Sequence, residues 1–512
     1  MFFLAFFVAK HYFTKDKDQF EKFPFVVVVL ALTITSLCVF LVPVDTFNVS
    51  TMTDPATGML YPDLSIEGAA SRGTVVKIMY YVLYGVLFVF AFGVVPFAYF
   101  FYEEGDSETT FRQRLRRSLL FTSFFLLFVL IILVVGLFFR PAPDDFSKKS
   151  ASDWINRLFD TRNAGDGAIL FCLAILTLVG LVIWCTYTAF GLAILPVKLL
   201  RFNGRSTMTD DEIQRQLIIN REQARAIETK YDRSERRTRQ DIKAYYQTRK
   251  RERELQAAAD DRIQSGSKCE ACWNEFMMPF RVVFGILSAL FTLLLVISVV
   301  LTSLDKALNQ WAGWMTDRPK IPNPIDITLV ALAKVFPLDY VFLGILILYV
   351  FLASLVGFTH IGIRFLWIKL FSIKKHKSQP QGLLLMAALM MFVMLSLNVE
   401  FSTFAPQYTT FGSQVSFDYV NGTKSATATA CSLTHITNET CIMTQLGTMY
   451  SRINLSMSFF GTVFFFSNFV FVAAVLGGIP IALCCCQKKR GGRSKSAGED
   501  AAEEDAAMEE NV

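Results

Sequence analysis

Along the chain, continuous apolar runs are separated by polar stretches, with no residue-by-residue alternation inside the runs. A transmembrane helix needs about 20 apolar residues to cross ~30 Å of hydrocarbon. Eight runs suit that length: residues 24–42, 75–101, 118–139, 168–194, 279–304, 336–358, 382–402 and 458–483. Membrane-spanning strands would alternate in polarity, so the runs predict helices. The opening "MFFLAFFVAK" has eight apolar residues after Met1, too few to span. It lacks the cationic start and cleavage site of a signal peptide, and is expected to be the stub of a first membrane helix.

The pattern predicts an all-α polytopic membrane bundle of eight full transmembrane helices plus a truncated N-terminal one. Residues 1–205 carry the first membrane helices, and 206–278 a charged helical loop. Residues 279–483 carry the second set with a polar loop at 403–457, and 484–512 form an acidic tail expected to be disordered. The charged loop contains no proline or glycine over 206–265. Ile213, Leu217, Ala224, Ile227 and Tyr231 recur there at helical steps, which suits one long helix or two antiparallel ones turning near "YDRSE".

Composition agrees with a membrane class: 53% of residues are hydrophobic and Phe alone supplies 50 of 512. Charge then sets orientation. The side holding residues 10–23 and the C-terminus carries 37 of the 50 Lys and Arg. Discounting the long loop and Arg281, the balance is still 18 against 13, so that side is expected to be cytosolic.

All four N-x-S/T sequons, at Asn48, Asn421, Asn438 and Asn454, fall on the side assigned to the lumen. Cys431 and Cys441 lie in the same lumenal loop, where an oxidising compartment lets them pair. Cys484, Cys485 and Cys486 sit beside "QKKR" at the other end of the last helix and are palmitoylation candidates.

No HExxH, Walker A, GxSxG or dinucleotide fingerprint occurs, and the four histidines are scattered, so neither an enzyme nor a nucleic-acid binder is expected. "CEAC" at 269–272 lacks the further ligands a zinc site needs. Two lumenal-edge motifs remain. "FLVPVDTF" places Pro43 and Asp45 where the first full helix is expected to end, and "KVFPLDYVF" places Pro337 and Asp339 where another begins. Each reads either as a solute or partner site or as helix-end capping. "IPNPIDITLVALAKVF" is apolar but too short to span, which suits a re-entrant or interfacial segment. Tyr187, in "WCTYTAFGLAILP", and Glu400 complete the substrate-pathway candidates with Asp45 and Asp339.

"LVPVDTF", "PFAYFFYEE", "TYTAFGLAILPVKL", "TSLDKAL", "VFPLDY", "RFLWIKLFSIKKHKSQPQGLL" and "FAPQYTTFGSQ" resemble the lysosomal cobalamin transporter family, within the limb region membrane proteins that also include a lipocalin receptor. The resemblance implies nine transmembrane helices, a lumenal N-terminus and a cytosolic C-terminus in the lysosomal membrane. It makes "MFFLAFFVA" the cytosol-proximal end of the family's first helix, with some N-terminal residues expected to be missing. It also implies export of cobalamin to the cytosol with an ABC transporter as partner, cobalamin being transported ligand rather than resident cofactor. The lipocalin-receptor relatives leave a second reading open, an endocytic receptor or scaffold.

Overall fold

The computed structural model describes residues 1–13, 22–104, 110–138, 164–200, 210–230, 248, 251–252, 256, 278–309, 320–365, 368–373, 375, 378–420, 423–431, 436, 439–456 and 458–491. They fall into two compact units, Met1–Leu195 with Ser288–Val512, and Pro196–Leu287.

Eight helices among the described residues are long and apolar enough to cross a membrane. In chain order the helices of the first unit start with α1 (Phe2–Tyr12), α2 (Lys22–Ser50), α3 (Ile66–Glu103) and α4 (Phe111–Phe138). A span then runs through α5 (Ala164–Ile183), a π-helical turn at Trp184–Thr188, and α6 (Ala189–Leu200). Beyond α7 (Asp210–Lys230) come α8 (Met278–Asn309), the short α9 (Pro324–Leu332), α10 (Leu338–Ile361) and α11 (Pro380–Phe404). The short α12 (Pro406–Phe411), α13 (Gln445–Ser456) and α14 (Ser458–Gly491) complete the series. Two antiparallel hairpins join the helices: β1 (Ile363–Phe365) with β2 (Ile368–Phe371), and β3 (Val415–Val420) with β4 (Thr423–Ala430).

The most enclosed span is α11, with 78% of its apolar window buried against 17% for α4. Its close approach to α5 is set at Gly180, where an added Cβ would run into Ser396 and the Phe392 carbonyl. A second close crossing joins α6 and α10. A Cβ on Gly191 would strike the Ala353 carbonyl, one on Gly357 would strike that of Tyr187, and Thr188 is hydrogen-bonded to Ser354 at 2.9 Å. Small residues that let backbones touch are the usual device for packing helices in lipid, where the hydrophobic effect does not drive association.

The apolar N-terminal stretch forms the short helix α1, which buries Ala5, Val8 and Ala9 and ends at Phe13, paired with Ser378. The first full span differs from its expected end. Instead of stopping at Pro43, α2 runs 29 residues to Ser50. Proline costs the helix one backbone hydrogen bond. Thr46 donates to the carbonyls of Val42 and Pro43, at 3.1 and 3.0 Å, and Asp45, Thr46 and Val49 are buried, so the two turns beyond are held. At 1.5 Å per residue α2 is about 43 Å long, enough to clear the hydrocarbon and reach the elements at its end.

Those elements form one cap. Residues 51–65, α9, α12, β3–β4 and α13 gather at the end of the bundle that the charge bias assigns to the lumen. Cys431 and Cys441 are joined by a disulfide in it. The loop expected at 403–457 thus contains two helices and a hairpin.

In the second unit, the charged stretch forms α7 up to Lys230, next to "YDRSE". Arg221 pairs with Glu252 at 2.9 Å. The "CEAC" motif and the tail from residue 492 lie outside the described residues.

Candidate functional site

The bundle interior at the cap end holds an unusual density of buried polar side chains. Four aspartates lead them, and three bind backbone N–H groups of segments other than their own helix. Asp45, on α2, accepts from the N–H groups of Gln445 and Leu446 that open α13, at 3.1 and 2.9 Å. Asp326, on α9, accepts from Gln407 and Tyr408 in the first turn of α12, at 3.2 and 2.9 Å. Asp305, near the end of α8, accepts from Lys320 and Ile321, both at 3.3 Å, and from Asn309. The fourth, Asp339, accepts from the Tyr408 hydroxyl at 2.6 Å.

Helix N-termini present unpaired N–H groups and the positive end of the helix dipole, so a carboxylate there satisfies both. Asp326 is available for α12 because Asn323 already caps its own helix, accepting from Ile325 and Asp326 at 2.9 and 3.3 Å. Burial pushes the Asp326 carboxyl up to about 7, against the backbone N–H groups of Tyr408 and Gln407, which pull it down.

Deeper in, α11 carries Asn398 and Glu400, both nearly inaccessible. The Asn398 amide nitrogen donates to the Tyr84 hydroxyl of α3 at 2.9 Å, and its oxygen has no partner. Tyr84, Thr177, Asn398, Leu446, Met449 and Tyr450 help to line a narrow, half-open cleft. Behind Tyr450 lies Lys306 of α8, whose ammonium sits 5.9 Å from the centre of that ring. Lys306 acts electrostatically on Glu400, whose Oε2 has no hydrogen-bond partner. Cys185 is a further neighbour of Glu400, and its thiol donates to the Ser467 carbonyl at 3.7 Å.

Tyr187 belongs to a different place. Its ring stacks on Phe358, 4.3 Å between centroids, and its hydroxyl accepts from the Arg364 backbone N–H at 3.1 Å. The structure therefore brings Asp45 and Asp339 to the cap, sets Glu400 beneath it, and leaves Tyr187 at a helix crossing. Asp326, Lys306 and Asp305 were missed as site residues. "NPID" held the signal for Asp326, an acid left over beside an Asn-Pro cap. "SLDKAL", two charges closing an apolar run, held it for the other two. No cluster of three or more metal-ligating side chains occurs among the described residues.

The sequence profile of the LMBR1-like membrane protein family matches residues 1–269, more than half of the chain. The chain belongs to the LMBR1-like membrane proteins. Its similarity extends further along the chain than the profile. A Dictyostelium discoideum protein named "Probable lysosomal cobalamin transporter" is 35% identical over 94% of this chain and 92% of its own length. Proteins of the same name from Nematostella vectensis and Aspergillus oryzae are each 32% identical, covering 93% and 89% of this chain and 90% and 84% of theirs. No solved structure matches.

In this LMBR1-like chain the sequons differ in setting. Asn454 is 1% exposed on α13, and the amide nitrogen of Asn48 is buried without a partner. Asn421 and Asn438 lie outside the described residues. Cys484 is exposed on α14, where Cys485 and Cys486 follow it.

Proposed function

We propose that this protein exports cobalamin from the lysosome to the cytosol, as a multi-pass lysosomal membrane protein with a cytosolic C-terminus. The observation that carries the reading is similarity along nearly the whole chain to relatives bearing that name, at 35% identity for the Dictyostelium discoideum protein. The polar seam from Asn398 to Lys306 and Glu400 supports it, because buried polar groups in a membrane bundle mark solute pathways. Glu400 and Asp339 each keep one carboxylate oxygen without a partner and belong to the path. Asp45, with both oxygens engaged, holds the start of α13 that walls the path, while Tyr187, tied to Arg364, stands apart from it at the helix crossing.

With no ATP-binding motif in the sequence, the energy for uphill transport comes from a partner, and an ABC transporter of the lysosomal membrane fits that role. Of the four sequons, Asn421 and Asn438 are the glycan acceptors. Endoglycosidase digestion of the wild type and of the double Asn→Gln variant tests that assignment. Cys484 to Cys486 are the cytosolic acylation sites, tested by palmitate labelling of a triple Ser variant.

The deciding experiment deletes the gene and measures free cobalamin in purified lysosomes. Trapped cobalamin that this chain clears on re-expression supports export. Normal lysosomal cobalamin after deletion overturns it and leaves a receptor or scaffold role in front.

A further inference from the structure

Asn398 faces the cleft between α3, α5, α11 and α13, is 2% exposed, and has one end of its amide unpaired. A carboxamide has two N–H donors and an oxygen with two lone pairs, and here a single bond to Tyr84 is made. Leaving such an atom unsatisfied in an apolar interior disfavours the empty cleft, and an entering group of the right chemistry removes that penalty.

The lining selects the chemistry. None of the ten residues around the cleft is charged. Leu395, Val399, Leu446 and Met449 give apolar walls, and the Thr177 hydroxyl already donates to the Leu173 carbonyl at 2.7 Å. With Asn398 donating to Tyr84, the cleft offers the Asn398 oxygen as acceptor and the Tyr84 O–H as donor. Turning the amide end for end, which leaves the heavy-atom positions unchanged, makes Tyr84 the donor to Asn398 and leaves the Asn398 nitrogen as donor. Either way, donor and acceptor stand side by side on a neutral surface. The matching group is neutral, compact, and both donates and accepts, as a primary carboxamide does. A carboxylate only accepts, and its charge is costly where nothing opposes it.

We propose that Asn398 and Tyr84 form a subsite for one primary carboxamide arm of the transported ligand. This rests on the cobalamin reading above, since the corrin ring of cobalamin carries a rim of such arms.

The test uses the full chain in lipid nanodiscs, with cyanocobalamin and its monocarboxylic acids, each having one peripheral amide hydrolysed. We expect one acid to bind the wild type about five- to tenfold more weakly than cyanocobalamin. That difference should vanish in Asn398→Leu and shrink in Tyr84→Phe, which keeps the ring and serves alone should the first variant not fold. If cyanocobalamin binds but the acids show the same pattern in wild type and variants, the subsite is overturned and the cleft holds only water. If the wild type binds no cyanocobalamin, the ligand reading itself fails, and the subsite with it.

Discussion

The carboxylate of Asp45 accepts hydrogen bonds from the backbone N–H groups of Gln445 and Leu446, although 400 residues separate Asp45 from Gln445. One buried side chain thereby fixes the start of α13, whose Leu446, Met449 and Tyr450 wall the cleft. Hydrogen bonds to a charged group contribute about 1.5–3 kcal/mol each, with shared desolvation making them less than additive. Asp45→Leu is expected to destabilise the protein by about 2–4 kcal/mol. Hydrogen exchange at Gln445 and Leu446 checks this: their amides should open in the variant, and unchanged protection would refute the capping role.

Asp326 predicts a pH dependence. Its carboxyl is raised to about 7 in the fold, against 3.8 as the ordinary value, chiefly by burial. A raised carboxyl favours the folded state when protonated, so its contribution is complete below the ordinary value and is lost as pH rises through about 7. The wild type should therefore melt at higher temperature at pH 5 than at pH 8. Asp326→Asn, which carries no titrating group, should flatten that difference. Equal pH slopes in the two proteins would contradict it.

The helix crossing at Gly191 and Gly357 allows no side chain. Overpacking of a tight site costs about 1–3 kcal/mol. Gly191→Ala and Gly357→Ala should each lower the melting temperature in detergent. Gly344→Ala is the control, because its Cβ would meet Phe40 at an ordinary 3.6 Å and should cost nothing. Similar melting for all three would mean the crossing is looser than described.

Glu400 and Lys306 should behave as a coupled pair. Removing Lys306 takes away the one opposing charge that acts on Glu400, a through-space effect of about 1 kcal/mol. Lys306→Met is expected to destabilise modestly, and Glu400→Gln combined with it should recover part of the loss. A double-mutant cycle on thermal stability measures the coupling, and strictly additive effects would argue against it.

The disulfide closes a loop in which Cys431 and Cys441 are 10 residues apart. Cross-links of this loop size contribute about 2–3 kcal/mol in the chain-entropy account. Cys431→Ser should lower stability by that order and make the β3–β4 region more sensitive to protease. A melting temperature independent of reductant would speak against a structural role.

The eight spans were legible because lipid demands long apolar runs, and such runs are visible without partners. What those runs concealed was the cap. Pro43 looked like a helix end because proline removes a local hydrogen bond, while the turns beyond it are held by the Thr46 hydroxyl on the Val42 and Pro43 carbonyls and, from far along the chain, by the backbone N–H groups of Gln445 and Leu446 on Asp45. The paired roles of Asp45 and Asp326 were invisible for the same reason: each caps a helix other than its own. Asn398 and Glu400 stood out as polar residues in an apolar run, but their unsatisfied atoms appear only once Tyr84 and Lys306 are brought beside them.

The bond from α2 to α13 also has a schedule. Ribosomes add about 5–20 residues per second, so Asp45 precedes its partners by about 20–80 s of synthesis. For that interval the carboxylate has no helix end to hold. The cap closes only when almost the whole chain has been made, which makes closure a signal of completeness.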